Sequence, residues 1–272
     1  MLLALAPPSV EEVAGFASRT KTGTSVRILA VEDSHLKFWA PGGGRLDPGI
    51  QARLVHPETM GQPEGAIFPA SPGGRFHRNI PPNAIYIHYE AKPRVPRNHP
   101  DIWAELAGAR PGIHAGGSTR TGNGAVKGYF EVRGSGGARA SLDVHVADGP
   151  YEAVSRSVRA GGGFRSEFGR DLKVGFSWAP QTHIDADGRS HQIEVRKLTH
   201  TAFKLDERKF QMHIEAFDRK GSVIGEDDYM DGPGMEFPNP RTHVGAEQVV
   251  RVDALARRYD ILRFNGIHLK PN

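Results

Sequence analysis

Short runs of alternating apolar and polar residues recur along this chain, and clusters of glycine, proline, aspartate and asparagine separate them. Alternation with a period of two is typical of strands buried on one face, because successive side chains of a strand point to opposite sides. The 33 glycines and 20 prolines among 272 residues favour many turns between short strands. This pattern excludes a coiled coil and a helical bundle, since proline breaks long helices.

The alternation predicts a strand in each of several short segments. These are 25–32, 36–40, 51–56, 84–92, 126–134, 139–147, 172–178, 191–198, 210–218, 248–252 and 260–269. We therefore predict an all-β fold, a jelly roll or concanavalin-like sandwich of two antiparallel sheets with short helices. No linker or internal repeat divides the chain, so residues 1–272 are expected to form a single domain.

Two segments carry helix signals instead. Residues 8–18 are predicted to form an N-terminal helix, because Ser9 and Glu12 have the spacing of a capping box. Residues 98–108 are predicted to form a short helix or turn that Pro100 starts and Gly108 ends.

Composition and charge narrow the function classes. The chain has no cysteine, which excludes disulfides, thiolate metal sites and cysteine nucleophiles. Basic residues outnumber acidic ones in 91–140, whereas 221–240 contains acidic residues and no basic ones. The basic stretch favours a polyanionic partner. We expect an acidic polysaccharide and no nucleic acid, since no RNP-like run, basic helix face or zinc finger is present. A merely solvated face is the alternative.

Five of the predicted strands pair an apolar row with a polar row rich in Tyr, His, Arg, Gln and carboxylate side chains. The polar rows are Tyr86, His88 and Glu90; Tyr129, Glu131 and Arg133; Asp143 and His145; Gln192, Glu194 and Arg196; and Gln211, His213 and Glu215. If the strands share a sheet, these rows form one surface that can bind sugars through tyrosine rings and directional hydrogen bonds. The surface also contains the groups that β-elimination from a uronic acid needs. A solvated sheet face is the alternative interpretation.

Four consecutive segments, 84–92, 108–117, 124–133 and 142–146, follow one another as a strand, a glycine-rich loop and two further strands. Their order and spacing resemble the concanavalin-like polysaccharide lyases of the alginate and glucuronan lyase group. The catalytic motif of that group is not retained. Its loop lysine would fall at Ala109, beside Arg110; its Ser-x-Arg pair would fall on Phe130 and Val132; and its Tyr-x-Tyr pair would fall on Asp143 and His145.

The resemblance implies a lyase that cleaves acidic, uronate-containing polysaccharide by β-elimination. His145 would accept the proton, Tyr129 would return a proton to the leaving oxygen, and Arg133 or His114 would neutralise the substrate carboxylate. Further side chains are expected to bind the substrate. They are Tyr86, His88, Arg110, Gln192, Arg196 and His213.

Two other functions stay open. One is a non-catalytic carbohydrate-binding or structural jelly-roll protein. The other is a glycoside hydrolase, which needs a carboxylate pair across a groove. The candidates for that pair are Glu90, Glu131, Asp143, Glu194 and Glu215.

Several minor signals complete the predictions. No cofactor is expected, although the acidic loop containing Glu226, Asp227, Asp228 and Asp231 offers the oxygen ligands that Ca²⁺ prefers. A solvated loop is the alternative. Residues 1–8 resemble the end of an export signal, which implies a secreted or periplasmic protein, or they form a frayed terminus. No apolar stretch approaches the roughly 20 residues of a membrane helix.

The three tryptophans have different expected environments. Trp39 and Trp178 are expected to pack in the core or at sheet edges, and Trp103 alone is a candidate sugar platform because of its loop position.

Overall fold

The computed structural model describes residues 10–35, 37–51, 54, 84–94, 100–107, 113–120, 124–132, 137–169, 172–184, 189–201, 206, 208–228, 235–237 and 245–271. The predicted all-β class is confirmed: the described chain forms several mainly antiparallel sheets. None of its described helices is long and apolar enough to cross a membrane.

The elements follow in chain order as β1 (Val10–Val13), β2 (Ala17–Arg19), β3 (Ser25–Asp33), β4 (Phe38–Trp39), α1 (Pro48–Gln51), β5 (Ile85–Lys92), β6 (Asp101–Leu106), β7 (Ile113–Arg120), β8 (Val126–Val132), β9 (Arg139–Ala147), β10 (Glu152–Ala160), β11 (Gly163–Gly169), β12 (Lys173–Ile184), β13 (Ser190–Thr201), β14 (Phe210–Phe217), β15 (Val223–Asp228), β16 (Met235–Phe237), a 3-10 turn (Ala246–Gln248), β17 (Arg251–Arg258) and β18 (Asp260–His268).

These elements divide into two compact units. The split unit consists of Pro8–Asp148 and Tyr259–Asn272, and the inserted unit is Gly149–Arg258. The inserted unit thus enters the sequence between β9 and β18, which pair with each other in the split unit. The expectation of a single domain stays a prediction.

The split unit contains two sheets. Sheet A has the strand order β1-β18-β9-β6, and sheet B has the order β2-β3-β5-β8-β7, with β4 also paired to β3. Alternate residues of both sheets join one buried apolar cluster, which includes Ile28, Tyr89 and Phe130 from sheet B and Val144 and Phe264 from sheet A. The Tyr89 and Phe130 rings stack with centroids 4.4 Å apart. The remaining rows of both sheets face away from this core.

The inserted unit also contains two sheets. Sheet C has the order β11-β10-β17-β14-β15, and sheet D has the order β12-β13-β16. Their apolar rows meet in a second cluster, which includes Leu198 and Phe237 from sheet D and Ile214 and Val252 from sheet C. Each unit therefore has its own hydrophobic core.

Both helix predictions are wrong. Residues 8–18 contain β1 and β2 instead, because β1 pairs in parallel with residues 261–264 of β18 and buries Val13. Gly15, at φ +86, separates the two strands with a left-handed backbone that a helix cannot adopt. Residues 101–106 form β6, whose pairing along β9 outweighs the local helix signal.

Gly169 has a left-handed backbone conformation and lies very close to the backbone of Val154 and Ser155. Its φ is +84, and a Cβ there would collide with the Val154 carbonyl oxygen and lie 2.8 Å from the Cα of Ser155. We expect Gly169→Ala to lower the free energy of unfolding by about 2–4 kcal/mol, from left-handed strain and a backbone clash together. Gly161 has φ +62 but nothing within 4 Å of such a Cβ. Gly161→Ala should therefore cost only about 1 kcal/mol in urea unfolding, and equal losses would contradict the clash.

Candidate functional site

Within the split unit, the predicted polar rows lie on two different sheets. Tyr86, His88 and Tyr129 lie on the outward row of sheet B, whereas His145 lies on the outward row of sheet A, with the split unit's core between them. The prediction that these residues share one face is wrong. The reason is physical: alternation indicates which residues share a strand face, but not which sheet the strand joins.

The other predicted binding residues lie elsewhere. Gln192 and Arg196 belong to β13 and His213 to β14, so they are in the inserted unit. Arg110 and Arg133 lie outside the described residues, as do the side chains of His114 and Gln192. Their assigned functions stay predictions.

His88 forms a buried ion pair or hydrogen bond with Glu32. Its Nε2 lies 2.8 Å from Glu32 Oε2, and the exposed fractions of the two side chains are 1% and 0%. The rings of Phe38 and Tyr129 lie 6.1 Å and 6.3 Å from the His88 ring, and Tyr86 packs edge-on against Tyr129 at 5.3 Å. His88 is therefore part of the packing of sheet B and does not offer a surface to a polymer.

His145 is enclosed by aromatic side chains on sheet A. Its ring stacks on Trp103 with centroids 3.7 Å apart, and Tyr259 contacts both rings edge-on at 5.9 Å. His145 Nε2 lies 3.4 Å from Glu105 Oε1, and the Tyr259 hydroxyl donates to Asp101. Only 1% of His145 is exposed. Trp103, the predicted sugar platform, presents one ring face to His145 instead of to solvent.

The carboxylates considered for hydrolysis are distributed over several sheets of the two units. Asp143 on sheet A accepts from Arg263 Nε and Nη2, both at 2.7 Å. The pKa of Arg263 is raised above its ordinary value, mainly by these hydrogen bonds to Asp143. Glu90 and Glu131 lie on sheet B and Glu215 on sheet C. The side chain of Glu194 lies outside the described residues, and the glycoside hydrolase alternative stays a prediction.

A compact polar cluster surrounds His213 on the outward face of sheet C. Its ring lies 5.2 Å from that of Tyr151, and its Nε2 lies 3.6 Å from Glu215 Oε1. The Arg257 guanidinium lies 4.6 Å from the Tyr151 ring centre and donates from Nε to Gln211 Oε1 at 2.5 Å. Arg257 is buried. The polar groups of this cluster therefore bind mainly to one another.

Arg196 belongs to a more accessible arrangement, which we name the aromatic–arginine row: Arg159, Phe164, Phe176, Arg196 and Trp178. The Arg196 guanidinium lies 4.8 Å from the Phe176 ring centre and 5.8 Å from that of Trp178. Arg159 lies 5.8 Å from both Phe164 and Phe176, and those two rings are 6.0 Å apart. Cations and aromatic faces therefore alternate along the row.

Strand pairing places these side chains side by side. In the antiparallel β12–β13 pair, Trp178 is opposite Arg196 and Phe176 is opposite Leu198. Phe176 and Trp178 are two residues apart, so they share a face. Phe176 packs against the inserted unit's core, whereas 66% of Trp178 is exposed. Trp178 therefore does not pack in the core; it lies on β12, an edge strand of sheet D, as the edge alternative predicted.

The arginines of the row have no acidic partner among the described side chains. Arg196 is half-buried and forms no ion pair with any of them; the side chain of Glu194, two residues away on the same strand face, lies outside the described residues. Arg159 donates from Nη1 to the Glu247 carbonyl oxygen at 2.6 Å, which leaves its positive charge without an acidic partner in the described part of the chain. Sequence reasoning named Arg196 but missed Trp178. The period-two spacing of Phe176 and Trp178 was the signal that could have found it.

The predicted calcium loop is only partly described. Glu226 and Asp227 are adjacent in β15, so their side chains point to opposite faces of the strand. The side chain of Asp228 and all of Asp231 lie outside the described residues. Within the described part, no group of three or more histidine or acidic side chains could hold a metal ion. The calcium site stays a prediction.

Comparison with family models, with curated proteins and with solved structures finds no match to this chain.

Proposed function

We propose that the protein binds acidic polysaccharide without cleaving it, through the aromatic–arginine row of the inserted unit. The observation that carries the proposal is the 66% exposed indole of Trp178 beside Arg196. An exposed indole covers the apolar face of a sugar ring, while a guanidinium binds a carboxylate through two parallel hydrogen bonds. A uronate residue presents both features.

The non-catalytic form of the proposal is supported by the burial of the predicted proton acceptor. His145 lies beneath Trp103 and is 1% exposed. His88, a predicted binding residue, is bonded to Glu32 and is also 1% exposed. A general base must reach the proton that it removes. The lyase prediction is therefore less favoured than binding, and it stays a prediction.

We also propose that each unit is a jelly-roll or concanavalin-like sandwich, a framework that presents side chains on sheet faces. The shared apolar cluster of the two sheets in each unit supports it.

Affinity for immobilised alginate, polygalacturonate and neutral dextran tests the function. We expect both polyuronates to bind at low salt and to lose affinity at high salt, because salt screens exposed guanidinium–carboxylate pairs. Dextran should not bind. Equal binding of dextran, indifference to salt, or equal binding of single-stranded DNA would contradict the proposal. Growth of near-ultraviolet absorbance during incubation with alginate would instead support β-elimination.

A further inference from the structure

A half-open cleft in the split unit has the shape and lining of a small-molecule site. Its volume is about 380 Å³, which lies within the usual range of ligand clefts. Its walls are mainly apolar, with two arginines at the lining. The apolar residues of the lining include Phe16, Ile28, Leu29, Leu46 and Ile50.

Local structure fixes these walls. The Phe16 carbonyl oxygen accepts from the Ile28 N–H at 2.9 Å, which joins the segment before β2 to β3. Leu46 is buried and packs with Ala30. Ile50 lies on α1, whose first turn is capped by Asp47: Oδ1 accepts from Ile50 N–H at 3.3 Å. The cleft is therefore built on paired strands and a capped turn.

The charge at the cleft is positive. Arg27 and Arg45 line it, both are exposed, and the side chain of neither forms an ion pair with a described residue. Asp47, the acid in the lining, also accepts a hydrogen bond from the Gly49 N–H at 2.6 Å. Glu90 is opposite Arg27 in the strand register, but its carboxylate lies 3.1 Å from Lys92 Nζ. Two guanidiniums are thus available to an anion.

We propose that this cleft binds a small amphiphile with an apolar body and one carboxylate. The apolar walls would remove the body from water, and Arg45 would pair with the carboxylate through its planar fork of donors, while Arg27 adds to the positive charge at the cleft. At roughly 30 Å³ per water-sized group, about a dozen non-hydrogen atoms fill the cleft. Medium-chain fatty carboxylates have this size and chemistry. The inference is independent of polysaccharide binding, which involves the other unit.

Calorimetric titration of the full chain with octanoate, octan-1-ol and acetate tests the ligand class. We expect octanoate to bind in the millimolar to upper micromolar range, octan-1-ol about tenfold more weakly, and acetate not at all. In protein with labelled isoleucine methyl groups, octanoate should shift the signals of Ile28 and Ile50. Equal affinity for octanoate and octan-1-ol, or shifts that spare both isoleucines, would overturn the proposal.

Two arginine variants distinguish a specific contact with the carboxylate from nonspecific attraction of the anion to positive charge. Arg45→Gln is expected to weaken octanoate binding about five- to tenfold and to leave octan-1-ol unchanged. Arg139→Gln is the matched control, since Arg139 is an exposed arginine of the same unit outside the cleft lining. An equal loss in both variants would show only nonspecific attraction of the anion and would overturn the site.

Discussion

Replacing His88 with leucine is expected to lower the free energy of unfolding by about 3–5 kcal/mol, because it leaves a buried carboxylate without its histidine partner. Glu32 and His88 are 0% and 1% exposed and lie 2.8 Å apart at Oε2 and Nε2. Water cannot replace the lost contact at such a site, so the desolvation cost of Glu32 persists. Urea unfolding followed by circular dichroism measures the loss.

A second change in the same protein identifies the cause. The double variant His88→Leu/Glu32→Met should regain at least half of the loss, since apolar side chains can replace a buried ion pair at little cost. Glu90→Ala is the more accessible control, because its pair with Lys92 lies on the same strand at 3.1 Å and its two side chains are 20% and 58% exposed. That variant should change stability by no more than about 1 kcal/mol. A His88→Leu loss no larger than the control's would show that the pair is not important for stability.

Replacing Trp178 with alanine is expected to weaken polyuronate binding about thirtyfold, the effect of removing about 2 kcal/mol from a central aromatic contact. Stability should stay within about 0.5 kcal/mol, because the ring is mostly exposed and supports little packing. Arg196→Gln should weaken binding about tenfold and reduce its dependence on salt. Alginate affinity at two salt concentrations measures both effects.

Phe168 provides the matched control for Trp178. It is 40% exposed, belongs to the same unit and has the Arg156 guanidinium 5.2 Å from its ring centre. The bulge between Arg156 and Ser157 turns Phe168 to the face of β11 opposite Phe164, outside the row. Phe168→Ala should therefore leave polyuronate affinity unchanged. If it weakens binding as much as Trp178→Ala, exposed aromatic area in general, and not the row, is responsible.

The fold class could be predicted because alternating apolar and polar residues within a strand indicate which of its faces is buried. Ile85, Ile87 and Tyr89 were assigned to one strand face, and they line the split unit's core together. Strands β10 and β11 were missed, since serine and arginine occupy many of their positions and no apolar row stands out. The N-terminal segment was assigned to a helix because its capping signal is local, whereas its partner β18 lies at the other end of the chain.

The site was less predictable than the fold. His145 and His88 have the chemistry of catalytic groups, but their burial depends on Trp103 and Glu32, which lie on other strands. Arg196 was named from its polar row, and only the β12–β13 register shows that it lies beside Trp178. Long-range pairing of this kind leaves no pattern in a single strand.

The emission of Trp178 during titration with an oligouronate is the most direct test of the proposed binding row. Trp39 is 3% exposed and Trp103 is stacked on His145, so Trp178 is the tryptophan most open to solvent and to quenchers. Binding on the row should shift the emission to shorter wavelength and protect it from acrylamide, and Trp178→Phe should abolish both changes. Oligouronate binding that leaves Trp178 emission and its quenching unchanged would contradict the account.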